Sequence, residues 1–136
     1  RKLFLKRIRE LLPATVKTIF AEFVWEEEYA LLMSRAKIVL NPLRGEMKNG
    51  ANLRMFEVSA FGALLLGNSG RKEWLQPGKE MVVYKDAEDA VKKIIYYLEN
   101  KIERGKIVKN GTQRVTKEHT FLDRTNRLLW ILSRID

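Results

Sequence analysis

The chain has 136 residues, 46% of them hydrophobic and 32% charged, a length and balance that suit one soluble globular domain with a real core. It contains no cysteine and a single histidine, His119, which excludes disulfides, thiolate metal sites and a histidine metal cluster, so metal chemistry would need carboxylates alone. The net charge of +9 suits an anionic partner, whether a nucleotide diphosphate, a nucleic acid or an acidic membrane surface, and does not choose among them.

At the N-terminus, Arg1-Lys2-Leu3-Phe4-Leu5 is basic and apolar, but Lys6, Arg7 and Arg9 interrupt any signal-peptide core. No run is long enough to cross a bilayer, so a cytoplasmic location is expected. The chain lacks an initiator methionine and begins inside an apparent helix, as a segment of a longer protein would. Phe4, Leu5, Ile8, Leu11 and Leu12 recur at helical spacing until Pro13, predicting a helix over 2–12. Thr15 to Phe20 is short and rich in β-branched residues, predicting a strand. Tyr29, Leu32 and Met33 mark a helix over 26–35, and the apolar run from Lys37 to Leu40, stopped by Asn41-Pro42, marks a strand.

Leu43 to Ala51 is charged and holds two glycines, so it reads as a loop. Helix follows over 52–61, apolar almost all the way round and so expected to be largely buried. After Gly62, the run Ala63-Leu64-Leu65-Leu66 is apolar on both faces, as in a strand covered on both sides. A turn at 67–70, a short helix near Trp74 and a turn at 76–78 lead to a strand over Met81 to Tyr84. Asp86 reads as an N-cap, with Asp89 three residues on and helix to Leu98. Helices over 102–118 and 121–135 close the chain. Strands alternating with helices predict an α/β class, a Rossmann-like parallel sheet with flanking helices and a helical C-terminal tail.

In open α/β sheets ligands sit beyond the carboxyl ends of the strands. The loop after Leu40 runs directly into the helix Asn52-Leu53-Arg54-Met55-Phe56-Glu57. Gly50 lets the backbone approach a ligand, and the first N–H groups of the helix, on Asn52, Leu53 and Arg54, face outward with the positive end of its dipole, where a phosphate is at home. Glu57 lies one turn in, and its two oxygens can accept the vicinal hydroxyls of a ribose. An i,i+3 ion pair with Arg54 is an equally good reading from helix composition.

Asn41-Pro42, Asn52 to Glu57, Ala60-Phe61-Gly62-Ala63-Leu64-Leu65-Leu66, Pro77-Gly78-Lys79-Glu80, Val83 to Asp89, and the closing Gly111-x-x-Arg114-Val115-x-x-Glu118-His119-Thr120-Phe121 stand in an order that resembles the C-terminal domain of GT-B glycosyltransferases. The resemblance is to the spore-maturation-protein-like (CgeB-type) branch, related to glycosyltransferase family 4, and covers about Tyr29 to the end. It implies a single donor-binding domain over 1–136 and transfer from a nucleoside-diphosphate sugar without a metal or other cofactor. In the wider family a pattern of two glutamates with seven residues between them spans the loop and helix start. The second grips the donor ribose and maps to Glu57; the amides between hold the diphosphate and map to Ala51, Asn52, Leu53 and Arg54. The first is replaced here by Asn49. By the same resemblance the first strand with its basic pair, and the N-terminal acceptor domain with its catalytic groups, precede Arg1 in a parent chain, so this domain is expected to be inactive alone.

A noncatalytic Rossmann-like module that binds a nucleotide or a protein is the alternative, supported by Asn49. His119, before a C-terminal helix, reads as a capping or packing residue more than a general base. Trp25, Trp74, Trp130, Tyr84, Tyr96 and Tyr97 read as core. The basic residues are spread over separate helices without an RNA- or DNA-binding signature, so no nucleic-acid partner is expected. Helix 2–12 has a basic amphipathic pattern compatible with peripheral membrane contact, although packing its apolar side on the sheet is the simpler account.

Overall fold

Each predicted helix has an apolar stripe, and where that stripe meets a sheet face or another helix it is buried. The computed structural model describes residues 2–20, 24, 26–43, 45 and 50–135. Along them run α1 (Lys2–Leu11), α2 (Glu26–Arg35), β1 (Ile38–Asn41), α3 (Leu53–Ala60), β2 (Leu64–Gly67), β3 (Val82–Val83), α4 (Ala87–Glu99), α5 (Lys101–Glu118) and α6 (Phe121–Leu132). The sheet has the order β1-β2-β3 and is parallel throughout, with Ile38 opposite Leu64 and Leu66 opposite Val82.

The central strand explains the all-leucine run. Leu64 and Leu66 join Ile8 of α1 with Ala90, Val91 and Ile94 of α4 on one face, while Leu65 joins Met55 and Val58 of α3 with Met33 and Val115 on the other. Full burial of each leucine is worth about 1.5–3 kcal/mol, so a polar residue at any of the three would forfeit much of one layer. α1 spends its apolar side on the protein: Ile8 is buried and Phe4 stacks on Tyr84 with ring centroids 5.3 Å apart. Asp86 caps α4 as expected, its carboxylate accepting from Asp89 N at 2.8 Å.

Several expectations are corrected. Thr15 to Phe20 forms turn and coil, because no strand pairs with it; 17–20 are exposed, Val16 N closes a turn on Pro13 O, and Phe20 lies under the Arg9 guanidinium. β-branched residues favour a strand only where a ladder accepts them. The region near Trp74 is a single turn closed on Arg71 O, β3 keeps only two paired residues, and α6 stops at Leu132. α3 is less buried than its composition implies. Met55, Val58 and Ser59 face the interior, whereas Leu53 is 56% exposed, because α5 and β2 cover one side of the helix only.

Candidate functional site

The loop that leaves β1 is tied at both ends by asparagines. Asn41, the last residue of β1 and only 3% exposed, donates from Nδ2 to Asn52 Oδ1 at 2.9 Å and accepts from Asn52 Nδ2 at 3.2 Å. Two amides paired this way satisfy each other where an unpaired buried one would cost about 1–3 kcal/mol. Asn52 Oδ1 also accepts from Met55 N at 3.2 Å, so the residue that closes the loop is the N-cap of α3. Past β2, Asn68 accepts from Leu43 N at 2.8 Å and donates to Leu43 O at 2.9 Å, imitating one rung of a strand pair.

This framing fixes where α3 begins and what its first turn offers. Among the described residues, no acceptor is bonded to the N–H groups of Leu53 or Arg54, while that of Met55 is taken by the cap. Gly50, Ala51 and Asn52 are half-buried and lead straight into this turn; Asn49 lies outside the described residues. Glu57 is half-buried one turn further along, and one of its oxygens, Oε2, accepts from the Tyr29 hydroxyl of α2 at 2.7 Å. The i,i+3 ion pair of Arg54 with Glu57 is not among the salt bridges of the described residues. Instead Arg54 bears on the same phenol: burial and the Glu57 carboxylate raise the Tyr29 pKa, and Arg54 lowers it.

The structure thus gathers Gly50, Ala51, Asn52, Leu53, Arg54 and Glu57 along one loop-to-helix junction past the carboxyl end of β1. A separate open cleft of about 740 Å³ lies nearby, lined by Lys2, Phe4, Pro42, Leu43, Gly45 and Asn68, and neither Glu57 nor the start of α3 lines it. Two residues of this region escaped the sequence reading. In the sequence Asn41 stands as a strand stop and as part of the Asn41-Pro42 block that carries the family resemblance, and Tyr29 as one apolar position of α2; neither is legible there as the partner of Asn52 or of Glu57.

His119 is the C-cap residue of α5, and its Nε2–H donates to Trp74 O at 2.9 Å, with the ring 5.0 Å from that of Phe56. It caps and packs. Trp74 joins it, meeting Phe56 edge-on at 6.2 Å. Tyr84 is buried, its hydroxyl without a partner among the described residues, and burial pushes its pKa up to about 12. Trp130 and Tyr96, in contrast, are exposed rather than core: among the described residues no element covers the face of α6 that carries Trp130, and Tyr96 meets α5 only at its rim, where its hydroxyl donates to Glu103 Oε2. Trp25 lies outside the described residues.

A parallel sheet covered by α1 and α4 on one face and α3 on the other defines a Rossmann-like α/β domain. A family model described as glycosyl transferase-like matches residues 1–130, and the chain belongs to that family. Glycosyl transfer is the class of chemistry that goes with it. Comparison with curated proteins gives no match. Among the described residues, no helix is long and apolar enough to cross a membrane.

Proposed function

We propose that this chain is the donor half of a GT-B glycosyltransferase of the CgeB-type branch related to family 4, binding a nucleoside-diphosphate sugar for transfer without a metal. The observation that carries the reading is the placement of the Glu57 carboxylate one turn behind the amides of Leu53 and Arg54, which have no partner among the described residues. The diphosphate accepts from the amides of Ala51 to Arg54, with Gly50 allowing close approach, and the helix dipole favours its charge. Glu57 accepts the ribose hydroxyls. Asn49 stands where the wider family has its first carboxylate, so the transferred sugar meets a neutral amide that donates as well as accepts. The acceptor and the catalytic groups come from an N-terminal domain of the parent chain. The protein works in the cytoplasm with peripheral membrane contact through the exposed basic side of α1, where Lys2, Leu3 and Lys6 face solvent, and takes no nucleic-acid partner.

Titration with uridine and guanosine diphosphates, followed through the amide signals of 49–57, tests the reading. Losing a hydrogen bond to a charged group costs about 1.5–3 kcal/mol, so Glu57→Ala weakens nucleotide binding roughly ten- to hundredfold. Unchanged affinity in a folded variant removes Glu57 from the site. The replacement at Asn49 favours a second reading, a noncatalytic nucleotide- or protein-binding module, and donor hydrolysis or transfer by the longer parent chain separates the two.

A further inference from the structure

Tyr29 belongs to α2, outside the loop and helix that frame the donor site, yet its hydroxyl donates to Glu57 Oε2 at 2.7 Å. Its ring meets Phe61 edge-on, with centroids 6.4 Å apart. Residues 57 and 61 are one turn apart, so the carboxylate and the ring share a face of the chain and together hold one side chain of α2. A glutamate near a surface otherwise samples several rotamers, and fixing it costs side-chain entropy. A short bond from a neutral hydroxyl to a carboxylate meets that cost before any ligand arrives. The carboxylate has about four acceptor positions, so Tyr29 leaves about three, enough for a vicinal diol.

Resting on the reading of Glu57 as the ribose ligand, we infer that Tyr29 is a positioning residue of the donor site: its hydroxyl anchors one Glu57 oxygen so that the carboxylate is presented to the ribose diol. It thereby supports discrimination between ribonucleotides and 2′-deoxyribonucleotides. The phenol keeps its proton at neutral pH, since burial and Glu57 raise its pKa against the opposing pull of Arg54, so it acts as a donor.

Calorimetric titration of the full chain with uridine and guanosine diphosphates, their 2′-deoxy counterparts and inorganic pyrophosphate tests this in wild type, Tyr29→Phe and Glu57→Gln. Tyr29→Phe retains the ring and its contact with Phe61, and a thermal melt checks that it folds. One hydrogen bond to a charged group corresponds to about tenfold in affinity, the preference expected of the wild type for the ribonucleotide. Tyr29→Phe loses roughly three- to tenfold in ribonucleotide affinity and most of that preference, with pyrophosphate affinity unchanged within about twofold. If Glu57→Gln abolishes the preference and Tyr29→Phe keeps it, or if Tyr29→Phe weakens pyrophosphate as much as nucleotide, the inference is overturned and the reading of Glu57 stands. If the wild type shows no preference, or Glu57→Gln keeps it in full, the reading of Glu57 falls and this inference with it.

Discussion

α3 and α6 are both short helices opened by a side-chain cap and carrying an apolar stripe, yet one is built into the domain and the other lies along it. Asn52 caps α3, and Thr120 with Asp123 makes a reciprocal capping box at α6. α3 then buries Met55 and Val58 among Leu65, Leu75, Met81 and Val115. α6 buries no residue and leaves Phe121, Leu122, Leu129 and Trp130 exposed by 77%, 69%, 59% and 55%. Its start is held by Arg124, whose guanidinium lies 4.9 Å from the Phe56 ring and 5.6 Å from that of Trp74. Capping and apolar period therefore decide that a segment is a helix, and the surface opposite decides whether it docks. β2 and α5 offer α3 such a surface; among the described residues nothing offers one to the apolar face of α6.

The sharpest test truncates one side chain in each helix. Met55→Ala removes a side chain 1% exposed and is expected to cost about 2–5 kcal/mol in denaturant unfolding, the lost transfer energy plus a cavity. Leu129→Ala removes a residue already largely in water and is expected to stay within about 0.5 kcal/mol. Equal losses would break the comparison, since α6 would then bury its face in solution.

The contact of α5 with α3 gives a second, smaller contrast within one helix. A Cβ on Gly111 would lie 2.6 Å from the backbone oxygen of Glu80 and 3.4 Å from Ser59 Oγ, and the neighbouring Thr112 hydroxyl donates to Ser59 O at 2.7 Å. The Glu80 carbonyl sits in a turn whose amides, Glu80 N and Met81 N, both bond Gln76 O, so it cannot yield cheaply, and Gly111→Ala is expected to destabilise by about 1–3 kcal/mol. Gly105, on the same helix, has nothing within 4 Å of its added Cβ. Gly105→Ala is expected to stabilise by about 0.4–1 kcal/mol, through a less flexible unfolded chain and better helix propensity. Thermal unfolding of the two variants side by side reads both signs, and a shared sign would mean that α5 does not press on that carbonyl.

What the sequence made legible was local. The run at 63–66, the Asp86 cap and the loop entering the helix at Asn52 each depend on a few consecutive residues, and each is found in the fold. Glu57 could be placed on its helix, but its partner Tyr29 is 28 residues away on another element, and no spacing rule reaches across that gap. The same holds for the Asn41–Asn52 pair, whose members looked like a strand stop and a helix start. Thr15 to Phe20 shows the converse: its residues favour a strand, and among the described residues no strand pairs with it. Residue type alone points Trp130 and Tyr96 to the core, although burial is a property of the neighbour as much as of the ring.

His119 sits where the two regions meet, and its titration is expected to give the smallest effect of the set. Its ring packs on Phe56 of α3 and on Trp74, and the next residue, Thr120, is the cap of α6. Burial holds the imidazole below its ordinary value of 6.5; the Trp74 carbonyl and Glu118 oppose this, and Arg124 and Arg114 reinforce it. A folded-state pKa below the unfolded one means that the unfolded chain binds the proton more readily. The stability contributed by the neutral ring is therefore complete above pH 6.5 and is lost as pH falls through the folded value. Unfolding free energies measured from about pH 7.5 to about pH 5 in wild type and His119→Gln test this, because the histidine is the only side chain in the sequence that ordinarily titrates there and the comparison cancels every other group. The wild type should lose stability more steeply than the variant on acidification. Amide exchange is expected to respond first in α6, since a charged ring disturbs the corner from which that helix starts while the packed face of α3 remains closed. Parallel slopes in the two proteins would mean that the ring is solvated in both states and that α6 is anchored by Arg124 alone.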